Sequence, residues 1–146
     1  MKKLNKYLIL CMSTVLLSTC VGVTQSVEIY MGPADLTITN LTTGEFRQVK
    51  SSVSITNEES ANIVFKHGEV LQLKFTPPED YKNRKFTVRY NCLNLNIQVS
   101  KPPYIYEITI AENIPTGLYV ANCSAFCEDW DEISSCKQSI KFSVED

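Results

Sequence analysis

Hydrophobic and polar residues alternate along most of the chain beyond residue 35, as in strands that bury only one face. No window has the 3.6-residue period of an amphipathic helix. Turn-forming residues such as Thr43-Gly44 and Pro77-Pro78 separate the alternating runs. We therefore predict an all-β chain that forms an antiparallel β-sandwich of seven to eight short strands. The runs are Leu36–Ile38, Val53–Ile55, Leu71–Phe75, Phe86–Asn91, Leu93–Val99, Tyr104–Ile110 and Ile140–Val144.

The alternation changes phase once, near residue 92. The inward parity of Tyr90 would continue to Cys92, yet the next run points Leu93 inward. Two adjacent inward residues require a turn or a bulge. We therefore expect two separate strands over 86–91 and 93–99.

The first 19 residues have the features of a secretory signal peptide. Lys2, Lys3 and Lys6 form a positive amino-terminal region, and the apolar run 7–17 follows it. That run is too short to cross a hydrocarbon core of about 30 Å, although an uncleaved amino-terminal anchor is the alternative. We predict a signal peptide over 1–19, a tether over 20–27 and one domain over 28–146.

The end of this segment, Leu17-Ser18-Thr19-Cys20, resembles the lipobox of bacterial lipoproteins. In that family a cysteine follows a leucine and two small residues, and Thr19 departs from the preferred Gly, Ala or Ser. The resemblance implies a bacterial lipoprotein with lipid attached to Cys20. Such a protein is exported and anchored to a membrane of the cell envelope, on the periplasmic side or at the cell surface. Ordinary cleavage near Gly22 is the alternative.

The sequence Gly117-Leu118-Tyr119-Val120-Ala121 resembles a corner of immunoglobulin-like and fibronectin-III-like domains. In that corner a glycine precedes a tyrosine whose hydroxyl bonds to the chain upstream. Ala121 stands where antibody domains carry a cysteine, and Trp130 lies outside the usual place of the core tryptophan. The resemblance implies a single immunoglobulin-like sandwich, and it implies no activity.

Composition and charge narrow the classes of partner. Of the 146 residues, 44% are hydrophobic and 21% are charged, which is ordinary for a globular domain and excludes a disordered chain. Without the three lysines of the leader, eleven bases face sixteen acids, a net charge of −5. A net-acidic domain without a basic stripe argues against a nucleic-acid partner.

Two of the six cysteines lie in or next to the leader, which leaves four in the domain. An even number favours disulfides, because an exported chain enters an oxidising compartment. The immunoglobulin-like resemblance implies that Cys92 and Cys123 lie on neighbouring strands, while Cys127 and Cys136 bracket the last connection. It therefore favours the pairs Cys92–Cys123 and Cys127–Cys136. A zinc ion held by four thiolates is the alternative.

The most unusual local sequence is Glu128-Asp129-Trp130-Asp131-Glu132, in which four acids surround the only tryptophan. It falls at a predicted hairpin tip, and binding residues concentrate in such loops. Tryptophan is also enriched at interface hot spots. We therefore predict a recognition loop. A solvated tip with the indole folded back on the sheet is one alternative, and a cation site is another.

Catalytic chemistry has little support in the sequence. His67 is the only histidine, and it lies in a turn without a predicted nucleophile or orienting partner. No pair of acids is placed for glycoside hydrolysis, and the chain has no P-loop, dinucleotide-binding or HExxH motif. We therefore expect a protein that is not an enzyme and needs no cofactor.

These features favour a non-enzymatic cell-envelope protein with a binding or structural role, whose partner is an unidentified protein or glycan. The alternative is an accessory carbohydrate-binding module of a surface glycan-uptake system. Such a module needs exposed aromatic side chains, for which the candidates are Tyr30, Tyr81, Tyr104, Tyr106 and Trp130.

Lipid attachment is testable in cells. Labelling with an alkyne palmitate analogue should tag the protein. Cys20→Ala should abolish the tag and release the protein from membranes, because the cysteine sulfur carries the acyl chain. An untagged wild-type protein that is soluble in the periplasm would contradict the lipoprotein prediction and favour cleavage near Gly22.

Overall fold

The computed structural model describes residues 27–30, 34–50, 63–129 and 132–146, and it is all-β. Side chains are described at 34–49, 63–127 and 135–146. The described part contains one short 3₁₀ turn, Glu79–Tyr81, and no helix that could cross a membrane. Its strands are β1 (Val27–Tyr30), β2 (Asp35–Asn40), β3 (Phe46–Lys50), β4 (Ile63–Lys66), β5 (Val70–Thr76), β6 (Thr87–Cys92), β7 (Leu95–Val99), β8 (Ile105–Thr109), β9 (Gly117–Asp129) and β10 (Glu132–Glu145).

The strands form two sheets that pack in a sandwich. The first sheet has the order β1-β10-β9-β6-β7, with β4 also paired to β10, and the second has the order β3-β2-β5-β8. Most neighbours are antiparallel, as predicted, but β1 and β4 run parallel to β10. Parallel neighbours cannot be joined by a tight hairpin, and β10 lies far along the chain from both. Local patterning therefore gave no indication of these two pairings.

The core lies between the inner faces of the two sheets, and the predicted alternation fills it. Every second residue of β2, β5 and β6 is buried. Phe75, Phe86 and Tyr104 pack ring against ring, with centroids 5.4 to 6.1 Å apart. The Tyr90 hydroxyl donates to the Tyr104 carbonyl, so its burial leaves no unpaired polar group.

The predicted break in phase is a two-residue hairpin between β6 and β7. Leu93 and Asn94 have φ values of 51° and 62°, and Cys92 pairs with Leu95. Positive φ at both central residues is the mark of a type I′ turn, whose twist suits a hairpin. The second strand therefore starts at Leu95 instead of residue 93.

The strand count exceeds the seven to eight predicted, because short segments at 27–30, 46–50 and 63–66 form strands of their own. The predicted run Val53–Ile55 lies outside the described residues. At the corner before β9, the Tyr119 hydroxyl donates to the Pro115 carbonyl, the upstream bond that the sequence resemblance implies.

Asn40 fastens two turns at one end of the sandwich and is fully buried. Its Oδ1 accepts from the backbone N–H groups of Thr42 and Thr43 at 3.0 and 3.2 Å. Its Nδ2 donates to the Val64 carbonyl at 3.3 Å and to the Glu69 carboxylate at 2.6 Å. The single amide therefore connects the turn after β2 with β4 and with the turn that follows it.

Asn40→Ala should lower the free energy of unfolding by about 2–3 kcal/mol, because it leaves several partly buried groups without partners. Urea denaturation measures the change. Thr37→Ala, on the opposite face of the same strand, should cost less than about 1 kcal/mol. Equal midpoints for the two variants would show that the Asn40 amide does not hold these turns together.

Candidate functional site

The predicted acidic recognition loop lies at the connection between β9 and β10. Glu128 and Asp129 end β9, Glu132 begins β10, and Asp129 pairs with Glu132 in the register. Trp130 and Asp131 lie outside the described residues, as does the predicted lipid-attachment residue, Cys20. The hairpin position is thus as predicted, while the binding role of the loop stays a prediction.

The tyrosines named as possible sugar platforms do not gather on one surface. Tyr104 is buried, and its hydroxyl accepts from the Phe86 backbone N–H at 3.1 Å, so this candidate does not provide an exposed ring. Tyr106 is half-buried and stacks on Tyr90 with centroids 6.3 Å apart. Tyr81 is half-buried beneath a neighbouring arginine. Only the backbone is described at the fourth candidate, Tyr30.

His67 contacts two segments that are distant in sequence, at residues 114 and 146. Its Nε2 lies 2.8 Å from the Ile114 carbonyl oxygen, and its Nδ1 lies 3.7 Å from a carboxylate oxygen of Asp146. Both ring nitrogens therefore face groups of the chain, which fits the interpretation of His67 as a turn residue.

The four domain cysteines lie on the inner face of the first sheet, each at most 2% exposed. No disulfide bond joins them in the structure. Burial raises the pKa of Cys92 to about 12 and that of Cys136 to about 11. The pKa of Cys123 is raised by burial and, secondarily, by the nearby Cys136. Because the thiolate is the reactive form, these groups are unreactive while they remain buried.

The register arranges the cysteines as a zigzag. Cys123 lies opposite Tyr90, two residues along β6 from Cys92. Cys136 lies opposite Ala125, midway between Cys123 and Cys127. Along this zigzag only one pairing of neighbours uses all four thiols, namely Cys92–Cys123 with Cys127–Cys136. That is the predicted connectivity, which stays a prediction.

Each of these pairs is diagonal across two strands, not directly opposite. Diagonal Cα atoms are typically about 7–8 Å apart, and a disulfide needs less than about 7 Å. Bond formation therefore requires a local shift of the backbone at each pair. Zinc held by the four thiolates stays the alternative; no group of three or more metal-binding side chains occurs among the described residues.

The outer face of the first sheet carries two rows of polar side chains in register across β7, β6, β9 and β10. We call these eight residues the amide face. One row, the charged row, is Gln98, Arg89, Ser124 and Lys137; the other, the neutral row, is Asn96, Asn91, Asn122 and Ser139. All except the half-buried Ser124 are exposed.

Hydrogen bonds between neighbouring strands hold the neutral row in place. Asn91 Nδ2 donates to Asn96 Oδ1 at 2.6 Å, and Ser139 Oγ donates to Asn122 Oδ1 at 2.6 Å. Within the described part of the chain, the Nδ2 groups of Asn96 and Asn122 donate to no protein group, so they remain available to a ligand.

The charged row is built around Arg89. Its Nε donates to Gln98 Oε1 at 3.2 Å, and its guanidinium lies 5.2 Å from the centre of the Phe126 ring. The ring and the amide fix the plane of the guanidinium. Its terminal nitrogens donate to no described protein group.

Six residues of the amide face line an open depression of about 430 Å³. Neighbouring strands lie about 4.8 Å apart, so donors and acceptors repeat across the depression at that spacing. Such an array can hydrogen-bond a ligand that presents hydroxyl or carboxylate groups at regular intervals. The lining residues are Arg89, Asn91, Asn96, Gln98, Asn122 and Ser124, with Tyr90 and Ile97.

The sequence contains one indication of this surface. The outward positions of β6 and β7 include Arg89, Asn91, Asn96 and Gln98, three of which are amides. Alternation alone predicts only that these residues lie on the solvated side of two strands. Asn122 and Ser124 join them through the pairing of β6 with β9, which patterning within one segment does not reveal.

Comparisons with known proteins add no family. No family model and no curated protein matches the chain. Among solved structures that match, the extended catalytic domain of H. jecorina LPMO9A, also called EG4, aligns with 57% of this chain at 9% identity and a TM-score of 0.35. The chain covers 48% of that structure's length. A similarity this weak supports no conclusion about activity.

The thiol state is testable on protein purified from an exporting cell. In denaturant without reductant it should show no alkylatable thiol, and after reduction it should show four from the domain. We expect this because neighbouring cysteines of the domain are oxidised to disulfides during export. Peptide mapping should find Cys92 linked to Cys123 and Cys127 linked to Cys136. Four thiols that are alkylated in denaturant without reductant would contradict the disulfide prediction.

Proposed function

We propose that this chain is an exported, non-enzymatic cell-envelope protein whose immunoglobulin-like sandwich binds a ligand through the amide face. The observation that carries the proposal is the pair of polar rows in register across four strands, with an open depression between them. Sites built on strands hold their side chains more precisely than sites on loops. The hydrogen bonds of Asn91 with Asn96 and of Ser139 with Asn122 add to that precision.

A lipid on Cys20 is part of the proposal, and it favours the amide face over the acidic hairpin. Val27, the first residue of β1, pairs with Glu132 at the hairpin. The seven residues from Cys20 to Val27 span at most about 25 Å, so an anchored protein keeps this hairpin near the membrane. Ser139 lies seven residues farther along β10, about 24 Å away. The amide face is thus on the side of the sandwich, where an extended ligand has access.

A carbohydrate is the ligand that the amide face supports best, in keeping with an accessory module of a surface glycan-uptake system. Asparagine and glutamine amides each offer donors and acceptors, and sugar hydroxyls both donate and accept. The residues that carry this function are the amides and hydroxyls of the face. The tyrosines considered from the sequence do not carry it, since Tyr104 is buried and Tyr106 is covered by Tyr90.

A glycan array tests the proposal, with an envelope pull-down for protein partners. Asn91→Ala combined with Asn122→Ala should weaken glycan binding at least about tenfold, as expected when two or more hydrogen bonds are lost. These residues face each other across β6 and β9. The matched control is Thr39→Ala with Gln72→Ala, a facing pair on the outside of the second sheet, and it should bind normally.

Trp130→Ala distinguishes the two candidate surfaces. Normal binding by this variant supports the amide face, provided that the Asn91/Asn122 variant melts like the wild type. Loss of binding only in the Trp130 variant would assign the site to the acidic hairpin and contradict the proposal. Cleavage or oxidation of a bound glycan by the protein would contradict the proposal that the protein is not an enzyme.

A further inference from the structure

We infer that the amide face selects an acidic polysaccharide, one that carries carboxylates along its chain, and this inference rests on the proposed function. Three cations occupy the outer surface of β6 and β10: Arg89, Lys137 and Lys141, all exposed. No described carboxylate forms an ion pair with any of them. Arg89 lines the polar depression, and the two lysines lie on β10 beside it. On a domain with five more acids than bases, unpaired cations in and beside a polar depression indicate the charge of the ligand.

Arg89 has the geometry to hold a carboxylate. Its Nε is occupied by Gln98, and one face of its guanidinium lies against Phe126. The two terminal nitrogens remain, and they can donate in parallel to the two oxygens of one carboxylate. Because the guanidinium is already fixed, binding costs little side-chain entropy.

The lysines place further positive charge along the same surface. Lys137 lies two strands from Arg89 in the charged row, a backbone separation of about 10 Å. Lys141 lies four residues farther along β10, beyond Ser139, about 14 Å from Lys137. The cations therefore flank the neutral row instead of forming one cluster. A polymer with charges at intervals and hydroxyls between them fits this arrangement.

The same surface is poorly suited to nucleic acid. Binding of single strands relies on exposed aromatic rings on which bases stack. Phe126, the aromatic residue beside the charged row, is half-buried and covered by Arg89. The amides and hydroxyls of the neutral row instead match the hydroxyl groups of a sugar chain.

The test compares polygalacturonate with its fully methyl-esterified form, which has the same sugar backbone and hydroxyls but no charge. The lipid-anchored protein, purified in detergent, is run through affinity gels that contain either polymer. We expect retardation by polygalacturonate, at least tenfold weaker retardation by the ester, and weakening of the first by salt. Hyaluronan and its methyl ester serve as a second pair, so that the result does not depend on one sugar.

Two variants locate the effect. Arg89→Gln and Lys137→Gln should each reduce retardation by polygalacturonate severalfold and leave the melting temperature unchanged, since both side chains are exposed. Lys74→Gln is the matched control: it removes one exposed lysine from β5 of the second sheet. If Lys74→Gln weakens binding as much as the other two, net charge is responsible and the inference is wrong.

Each remaining outcome separates this inference from the proposed function. Equal retardation by the acid and its ester, lost in the Asn91/Asn122 variant, would overturn the preference for carboxylates and leave the glycan-binding face intact. Equal retardation by single-stranded DNA would contradict the inference that the ligand is a polysaccharide. No retardation by either acidic polymer, with a neutral glycan bound on the array, would overturn this inference alone. No glycan bound in either experiment would overturn both.

Discussion

The pairing of β9 with β10 is the constraint on which the rest of the structure depends. Thirteen consecutive residue pairs join the two strands. β1, β4 and β6 each pair with one of them, and β7 is attached to the sheet through β6. Because side chains alternate with a period of two, a slip of one residue would exchange the two faces of the sheet. The buried face holds Ala121, Cys123 and Ala125, so such a slip would put Asn122 and Ser124 into the core. Burying these polar side chains without hydrogen-bond partners would cost free energy, and this cost disfavours the slipped register.

One register therefore specifies both the core and the candidate site. The inner face of the sheet holds the thiol zigzag, and the outer face holds the amide rows. A substitution that disturbs the pairing would affect both faces, which is why facing pairs on the second sheet are the proper controls. The aromatic packing of Phe75, Phe86 and Tyr104 lies in the core between the two sheets. The amide face lies on the opposite, outer side of the first sheet.

The sequence predicted what local patterning controls. It predicted the two-sheet all-β class, the buried positions of β2, β5 and β6, and a turn or bulge near residue 92 that separates two strands. The resemblance at residues 117–121 implied the bond from Tyr119 to the chain upstream. Each of these depends on residues that are close in sequence or on simple parity. Tyr104 was a candidate for an exposed sugar platform, and it is instead buried against Phe75 of β5 and Phe86.

What the sequence did not predict depends on pairings between distant segments. The parallel positions of β1 and β4 beside β10 belong to this group. So does the amide face, whose members come from four strands between residues 89 and 139. The residues of the acidic hairpin are contiguous and so form a recognisable sequence pattern. The residues of the amide face are separated in sequence by apolar neighbours.

The proposed function requires that ligand contacts concentrate on the amide face. Nuclear magnetic resonance can measure this directly, by following the side-chain amide signals of asparagine and glutamine while a bound glycan is titrated. We expect the signals of the four amides of the face to shift together with one affinity, namely those of Asn91, Asn96, Gln98 and Asn122. The signals of Gln48 and Gln72 on the second sheet should stay fixed. Shifts confined to the backbone of residues 128–132 would contradict the proposed function.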